Sequence, residues 1–476
     1  MAYANLRDFL STLEKENQLI RISEPIMPDG EISAAGRAIS NLGPSAPAII
    51  FEKVTGYKTP LVINVHGSWY NHALMLEMPK ATPVKEQFHE LNRRWNKFPI
   101  KPEQVKDAPL KEVKIRDRIN LFEVLPLVKI NQNDAGCYIA KGATVSRDPD
   151  CPDDFNKQNV GMYRLQVKGK NKLGIQPLPM HDLAIHLTKA ERKGQDLPIA
   201  IAIGNDPVLS FIASTPLEYN QSEYEFAGAI QEAPYKIIKA EDSNLDIPAG
   251  AEIVLEGVIK CGRREVEGPF GEFPGSYSGA RKQPVVEIRS ITHRKNPIME
   301  NLYIGVPWTE VDYLIALNTC VPLYNQIKQT MPEVEAVNAM YSHGIGVIIS
   351  TKQRFGGFGK ATAMRLLSTP HGMPYSKIII VVDDTVDPFN LEQVMWAMTT
   401  RVNPDQDVNI LKNMPGMPLD PSSVPPGMHS KLIIDATTPV PPQQMLQETQ
   451  LLEVPKHTGR WEVQLRDMIQ KLRRSQ

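Results

Sequence analysis

Cysteine is scarce in this 476-residue chain. Cys137, Cys151, Cys261 and Cys320 stand far apart, with no CxxC pair. Four scattered thiols make no disulfide scaffold and lack zinc-site spacing, so free cysteines in a reducing compartment are expected. An excess of one charge is also missing: Lys plus Arg is 53, Asp plus Glu is 54, and the net charge is −1. That balance argues against a dedicated nucleic-acid protein and a polybasic membrane anchor. No apolar run approaches the ~18 residues of a membrane-spanning helix. The start, MAYANLRDFLSTLEKENQ, has neither a basic n-region nor an apolar h-region, so no secretory signal is read and a cytoplasmic location is expected. Phosphate-cradling motifs are lacking too. Phe355-Gly356-Gly357-Phe358-Gly359-Lys360-Ala361 misses the GxxxxGK[ST] spacing, and Gly344-Ile345-Gly346 continues into a strand, so both read as loop glycines. There is no GxSxG elbow and no cysteine with a nucleophile's flanking motif.

Proline is abundant instead. Forty prolines in 476 residues is about 8 %, against a typical 5 % or so. Glycine, at 30, is not raised, so the prolines read as rigid connections in a loop-rich enzyme. The length suggests about three domains, and the texture changes twice. Residues 1–115 alternate helix and strand: Leu6, Phe9, Leu10 and Leu13 mark a first amphipathic helix, followed by apolar runs at 19–22, 48–51 and 61–65. Residues 116–305 hold short strand-like runs around 163–167, 199–203, 252–259 and 285–291, with one helix near 183–193, which suggests a barrel or sandwich. In 252–259 the polar Glu252 and Glu256 alternate with Ile253 and Leu255, predicting a half-buried antiparallel strand. Residues 306–476 return to α/β. Ile378 to Val382 predicts a strand covered on both faces, and Asp387-Pro388 predicts a helix start whose apolar stripe is Leu391, Val394, Met395, Met398 and Val402. Leu465, Met468, Ile469 and Leu472 predict a terminal helix that docks on its own domain or on a partner subunit.

The densest chemistry is Glu267-Gly-Pro-Phe-Gly-Glu272. Gly268, Pro269 and Gly271 make a regular strand unfavourable there, and a turn can fold both carboxylates toward one point. Two neighbouring carboxylates do not both ionise cheaply, so one can carry a proton at neutral pH for general acid work. Arg164, in Gln158-Asn159-Val160-Gly161-Met162-Tyr163-Arg164, has the fork geometry to clamp a carboxylate or phosphate. His181 and His186 are five apart and not four, so they are no HExxH pair, and at most one faces a site. Ser222-Glu223-Tyr224 opens a further helix.

In this order, NVGxYR (159–164), a histidine (181), SEY (222–224) and EGPFGE (267–272) make the chain resemble the UbiD-type decarboxylases. Within that family it is most similar to the bacterial non-oxidative hydroxyarylic (phenolic) acid decarboxylases. The likeness runs from the N-terminus through VDDTVDPFNLEQVMWAM to KLIIDATTPV. It implies an α/β N-terminal domain, a central split β-barrel of the flavin-reductase type holding prenylated FMN, and an α/β C-terminal domain for self-association. It implies Asn159, His181 and Glu223 as Mn²⁺ ligands, a mixed oxygen and nitrogen set that suits that ion; potassium is a second implied ion. Met162, Tyr163, Arg164, Leu165, Gln176, Pro177, Met180, His181 and Lys377 are implied cofactor contacts. Glu272 is the implied proton donor, in a network with Glu267 and Arg164.

The implied activity is reversible decarboxylation of an aromatic acid of the 4-hydroxybenzoate type. The alternatives are a heteroaromatic or cinnamic-type acid, or a catalytically silent structural subunit. Implied partners are a flavin prenyltransferase, a small accessory subunit, and further copies of the chain in a dimer or hexamer. Two segments depart from phenolic acid relatives. Residues 273–280 read FPGSYSGA in place of FTGHYSGG, and 135–142 read AGCYIAKG in place of GGFYLDKA. Both leave the implied metal and Glu-Arg-Glu residues intact, so they bear on substrate choice more than on reaction type.

Overall fold

The computed structural model describes residues 3–341, 343–443, 452 and 455–474. Met1 and Ala2 of the N-terminal reading lie outside them. The first helix, Leu6–Lys15, is capped by the Asn5 side chain, which accepts from the Asp8 N–H, and it buries Leu6, Phe9, Leu10 and Leu13 as the spacing requires. The strands Leu19–Ile22, Ala48–Phe51 and Leu61–Ile63 form a mixed sheet with this helix beside it. Its fourth strand is Met299–Glu300, which returns from far along the chain to pair parallel with Leu61–Ile63. Conversely, Val113–Ile115 leaves the N-terminal region to pair with the strand Arg281–His293 of the central sheet. The first two layers are therefore laced across the sequence boundary near 115, which local patterning cannot register.

The central sheet has nine antiparallel strands. Its path runs Tyr138–Ile139, Leu165–Gly169, Lys172–Ile175, Arg281–His293, Ile253–Glu267, Leu197–Ile203, Gly142–Arg147 and Gln158–Met162, with Val113–Ile115 as a branch. Among the described residues no ladder joins the two ends, so the sheet is not a closed barrel. It nevertheless curls. Gln158–Met162 lies at one end and Leu165–Gly169 beside the other, yet only Tyr163 and Arg164 connect them. Tyr138–Ile139 and Gly142–Arg147 stand in the same relation, joined only by Ala140 and Lys141. Such a link takes three Cα–Cα steps and spans at most ~11 Å, so the chain itself pulls the two edges together at an unpaired seam.

One strand departs from its sequence pattern. Ile253, Leu255 and Ile259 are fully buried, but so are Glu252 and Glu256. Their face is covered and their carboxylates are bonded. Glu252 accepts from Arg7 at 2.8 and 2.7 Å and from the Ile298 N–H at 3.0 Å; Glu256 accepts from the N–H groups of Glu241 and Asp242 at 2.8 and 2.9 Å. A buried charge is tolerable only with such partners, and these partners come from distant segments.

The C-terminal sheet orders Val334–Tyr341, Gly346–Thr351, Ile378–Asp383, Met428–Ala436 and Val408–Pro415, parallel at its centre and antiparallel at both edges. Ile378 itself is exposed, and the buried part of its strand starts at Ile379. The helix expected at Asp387 begins later, at Leu391–Arg401, because Asn390 caps the N–H groups of Glu392 and Gln393. Asp387 instead accepts from the Phe389 N–H in a tight turn. Of the expected stripe, Val394 is buried, whereas Leu391 and Met395 are exposed. Gly357 caps the helix Phe358–Leu367 at φ 85°, so Gly359 is helical and not a loop glycine; it packs directly on the Asp435 carboxylate. The last helix, Thr458–Arg474, leaves Leu465, Met468, Ile469 and Leu472 exposed on this single chain. No helix among the described residues is long and apolar enough to cross a membrane.

Candidate active site

Arg164 occupies the seam, in the two-residue link between Gln158–Met162 and Leu165–Gly169. Its Nε and Nη2 donate to the two oxygens of Glu267 at 3.0 and 2.6 Å. Its Nη1 donates to Glu272 and, at 2.9 Å, to the Ser278 hydroxyl. The guanidinium carbon lies 5.2 Å from the centre of the Phe270 ring. Glu267 ends the long strand Ile253–Glu267, and Gly268 turns the chain at φ 85°. A side chain at 268 would meet strain from that φ and a carbonyl, Gly279 O, at 3.1 Å. The turn brings both carboxylates onto one guanidinium.

Glu272 sits on a small hairpin, Phe270–Gly271 paired with Tyr277–Ser278. Its N–H donates to the Ser276 carbonyl and its carbonyl accepts from the Gly275 N–H, both at 2.9 Å. Asp134 steadies the hairpin from outside, accepting from the Gly271 N–H at 2.8 Å. Burial pushes the Glu272 carboxyl above the usual carboxylate range, while Arg164 pulls against that rise. Glu272 therefore holds its proton to a higher pH than a free glutamate, with a side chain that is still 13 % exposed.

A cavity of about 600 Å³ opens at this point. Asn159, Met162, Tyr163, Arg164, Gln176, Met180, His181, Glu223 and Glu272 all line it. Glu267 stands behind Arg164. Leu165 is fully buried in the apolar core beneath the sheet, and neither it nor Pro177 lines the cavity. Lys377 does not line it either. Its ammonium pairs with Asp420 at 2.9 Å and with the Ser422 hydroxyl, pinning the proline-rich loop that carries the cavity residues Met417 and Leu419. His186 turns away from the cavity to bond the Ser146 hydroxyl at 3.0 Å. Residues without any sequence signal complete the wall: Leu302, Ile304 and Ile315, and from further along the chain His343, His371 and Tyr375. They arrive by long-range packing, and no local spacing could have singled them out.

Two polar clusters differ in what they offer a cation. In the first, Glu223 is buried with its Oε2 unpartnered, and burial raises its carboxyl to about 8. Burial lowers His181 to about 4, so its imidazole is neutral. The Nδ1 of His181 accepts from the Leu178 N–H at 3.2 Å, a contact that a cation taken up at Nδ1 would replace. Asn159 is buried beside them, its amide 3.4 Å from the Tyr163 hydroxyl. A carboxyl with one orphaned oxygen, which a cation would deprotonate, a neutral imidazole and an amide suit a hard or borderline divalent ion.

The second cluster is His66, Glu300 and Glu310, whose ligand atoms all lie within 4.8 Å of one another. Here Lys141, on the other seam crossing, already supplies the positive charge. Its ammonium lies 2.6 Å from Glu300, 2.5 Å from Glu310 and 3.0 Å from His66 Nδ1, and all four residues are buried. A metal is not needed where an ammonium fills the charge. The three acceptors come from the N-terminal sheet region, the returning strand and the start of the C-terminal region, so this lysine ties the layers together.

The chain is similar in sequence and fold to proteins of one family. Three family models match in order: the 3-octaprenyl-4-hydroxybenzoate carboxy-lyase N-terminal domain over residues 10–91, its Rift-related domain over 103–307, and its C-terminal domain over 312–436. A phenolic acid decarboxylase of Sedimentibacter hydroxybenzoicus is 63 % identical, with 98 % of each chain covered. The structure of a vanillic acid decarboxylase from that organism, in an open form, superposes with a TM-score of 0.92 at 61 % identity, covering 98 % of this chain and 100 % of the other. An evolved dimeric form of the UbiD-class enzyme HmfF from Pelotomaculum thermopropionicum, in complex with prFMN, gives 0.80 at 32 % identity, covering 95 % and 97 %. The chain therefore belongs to the UbiD carboxy-lyase family.

Proposed function

We propose that the protein catalyses the reversible, non-oxidative decarboxylation of an aromatic acid of the 4-hydroxybenzoate class. The observation that carries this reading is one arginine holding two carboxylates at the wall of a cavity, with the cavity-facing carboxyl biased to its acid form. The phenolic and vanillic acid decarboxylases among its relatives support the substrate class. The prFMN held by the HmfF relative supports prenylated FMN as cofactor. Bound in the cavity, that cofactor would supply the electron sink that loss of CO₂ from a ring carbon requires.

The chain's own residues do the rest. Glu267 fixes the Arg164 guanidinium in one orientation through a bidentate pair. Arg164 Nη1 aims at Glu272 and at the place where a substrate carboxylate is drawn in. Glu272, protonated, delivers H⁺ to the carbon that loses CO₂ and recovers it for the next turnover. Asn159, His181 and Glu223 would hold Mn²⁺, which would supply positive charge against the cofactor phosphate. Met162, Tyr163, Gln176 and Met180 would contact the cofactor from the same wall. The apolar residues Leu302, Ile304 and Ile315 line the same cavity and, with substrate bound, would limit water at the acid.

A flavin prenyltransferase would supply the cofactor, and self-association into a dimer or hexamer is the proposed assembly. The test is co-expression with a flavin prenyltransferase in the presence of Mn²⁺, followed by a CO₂-release panel of hydroxybenzoates, cinnamates and heteroaromatic acids. A flavin-like absorbance with release from 4-hydroxybenzoate or vanillate is expected. A colourless, inert protein would overturn the reading in favour of a silent structural role.

A further inference from the structure

His343 has a backbone that most side chains avoid. Its φ is 55° and that of the following Gly344 is 83°, so two successive residues adopt the left-handed region at the turn before the strand Gly346–Thr351. For a residue other than glycine such a conformation persists where the surroundings hold it, and it is found preferentially at functional sites. Here the turn is pressed onto the helix Leu317–Lys328: a Cβ at Gly344 would lie 3.3 Å from the Thr319 methyl.

The ring is held as firmly as the backbone. Thr319 spends its hydroxyl hydrogen on the Ile315 carbonyl at 2.8 Å, one turn back in sequence. Its oxygen can therefore only accept from His343 Nδ1, which lies 3.2 Å away. That bond fixes the tautomer with the proton on Nδ1 and leaves a lone pair on Nε2. Phe273 and Tyr375 flank the ring edge to face, at 6.1 and 5.2 Å between centroids. Burial lowers the imidazole to about 4, so it stays neutral. His343 lines the same cavity as Glu272, whose chain neighbour Phe273 it touches.

We infer that His343 is the specificity-determining residue that accepts a hydrogen bond from the ring hydroxyl of a phenolic acid bound with its carboxylate at Arg164 and Glu272. The inference rests on the carboxy-lyase reading above and deepens it by naming the residue that reads the hydroxyl remote from the carboxylate. A neutral acceptor between two aromatic edges recognises a phenol O–H and offers nothing to an unsubstituted ring or to a second carboxylate. Electron density drawn toward the hydroxyl oxygen also reaches the ring carbon para to it, the carbon that Glu272 protonates, so recognition and reactivity favour the same substrate.

The experiment uses the holoenzyme co-expressed with a flavin prenyltransferase. CO₂ release from 4-hydroxybenzoate is measured, with 4-fluorobenzoate, which has no proton to donate, as a competing ligand. Wild type should bind the hydroxy acid about 10- to 100-fold more tightly than the fluoro acid, the worth of one buried hydrogen bond left unmade. His343→Phe should lose that preference and a similar factor in kcat/KM, with its flavin absorbance unchanged. His343→Gln, whose amide oxygen can still accept, should recover part of it. An active wild type that does not distinguish the two acids, or a flavin-loaded His343→Phe enzyme that still does, sinks the assignment alone. A wild type that releases no CO₂ from any aromatic acid sinks the carboxy-lyase reading and this assignment with it. If His343→Phe fails to fold, the wild-type preference and the His343→Gln variant still decide.

Discussion

Arg164 and Glu267 meet as a fork on a fork, Nε to Oε1 at 3.0 Å and Nη2 to Oε2 at 2.6 Å, which leaves a single arm of the guanidinium for Glu272. The two carboxylates, five residues apart, are therefore not equivalent. Glu267 is spent on orienting the arginine behind the cavity wall, and Glu272 faces the cavity.

Replacing Glu272 with Gln should abolish decarboxylation and leave the fold and flavin binding intact. The amide still accepts from Arg164 Nη1 but has no acidic proton to give. A loss of about 10²-fold or more in kcat is expected, the usual worth of a positioned general acid. CO₂ release by the flavin-loaded variant checks this; turnover at the wild-type rate would remove Glu272 from the donor role.

The acid form of Glu272 sets a pH dependence. Burial raises its folded pKa above the value of a free glutamate, so the group stays protonated to a higher pH than solvent would allow. Activity should fall as pH rises through that raised value. Arg164 lowers the same pKa, so Arg164→Gln should move the alkaline limb of the kcat profile upward while reducing its height. A limb that stays in place in this variant would assign it to another group.

Lys141→Met should destabilise the protein by roughly 3 kcal/mol, because it leaves buried carboxylates without their cation. The defect should grow with pH. Burial holds the Glu300 carboxyl at about 7 in the folded chain even against the pull of Lys141, compared with ~4.3 when unfolded. A folded pKa raised in this way contributes stability that is complete below the unfolded value and is lost as pH rises through about 7. Without the ammonium the carboxyl ionises still less readily, so the Tm deficit should be larger at pH 8 than at pH 5. Thermal melts of both proteins at the two pH values measure it.

Glu223→Ala should lose bound Mn²⁺ and, with it, much of the flavin. Its Oε2 is unpartnered and the rest of the carboxyl bonds only the nearby backbone at Glu223 and Val160, so the variant should melt close to wild type in the absence of metal and cofactor. Metal analysis and flavin absorbance of the purified holoprotein, beside an apoprotein melt, separate the two effects.

Much of the candidate site was legible in the chain because its residues fall in short motifs. Asn159 to Arg164 and Glu267 to Glu272 are each contiguous, and the glycine and proline between the two glutamates already exclude a regular strand. The first helix was equally plain, since Leu6, Phe9, Leu10 and Leu13 alternate at the helical period and are all buried. Where local spacing misled, a distant partner had intervened. Glu252 and Glu256 look solvent-facing in their strand until Arg7 and the backbone of Glu241 and Asp242 arrive to bond them. Lys377, a cofactor contact that the resemblance implies, is paired with Asp420 in this structure.

The first helix, several strands and the short motifs that carry the acids and the arginine follow from the order of residues alone, because they depend on periodicities of two to four residues and on side-chain chemistry. Three-dimensional packing was needed to curl the central sheet until two-residue links cross its seam at Ala140-Lys141 and Tyr163-Arg164. It was needed as well to enclose Lys141 between three layers of the fold and to turn His343 toward the cavity of Glu272. These relations join residues tens to hundreds of positions apart, and packing and buried-charge pairing act through space, where sequence separation has no bearing.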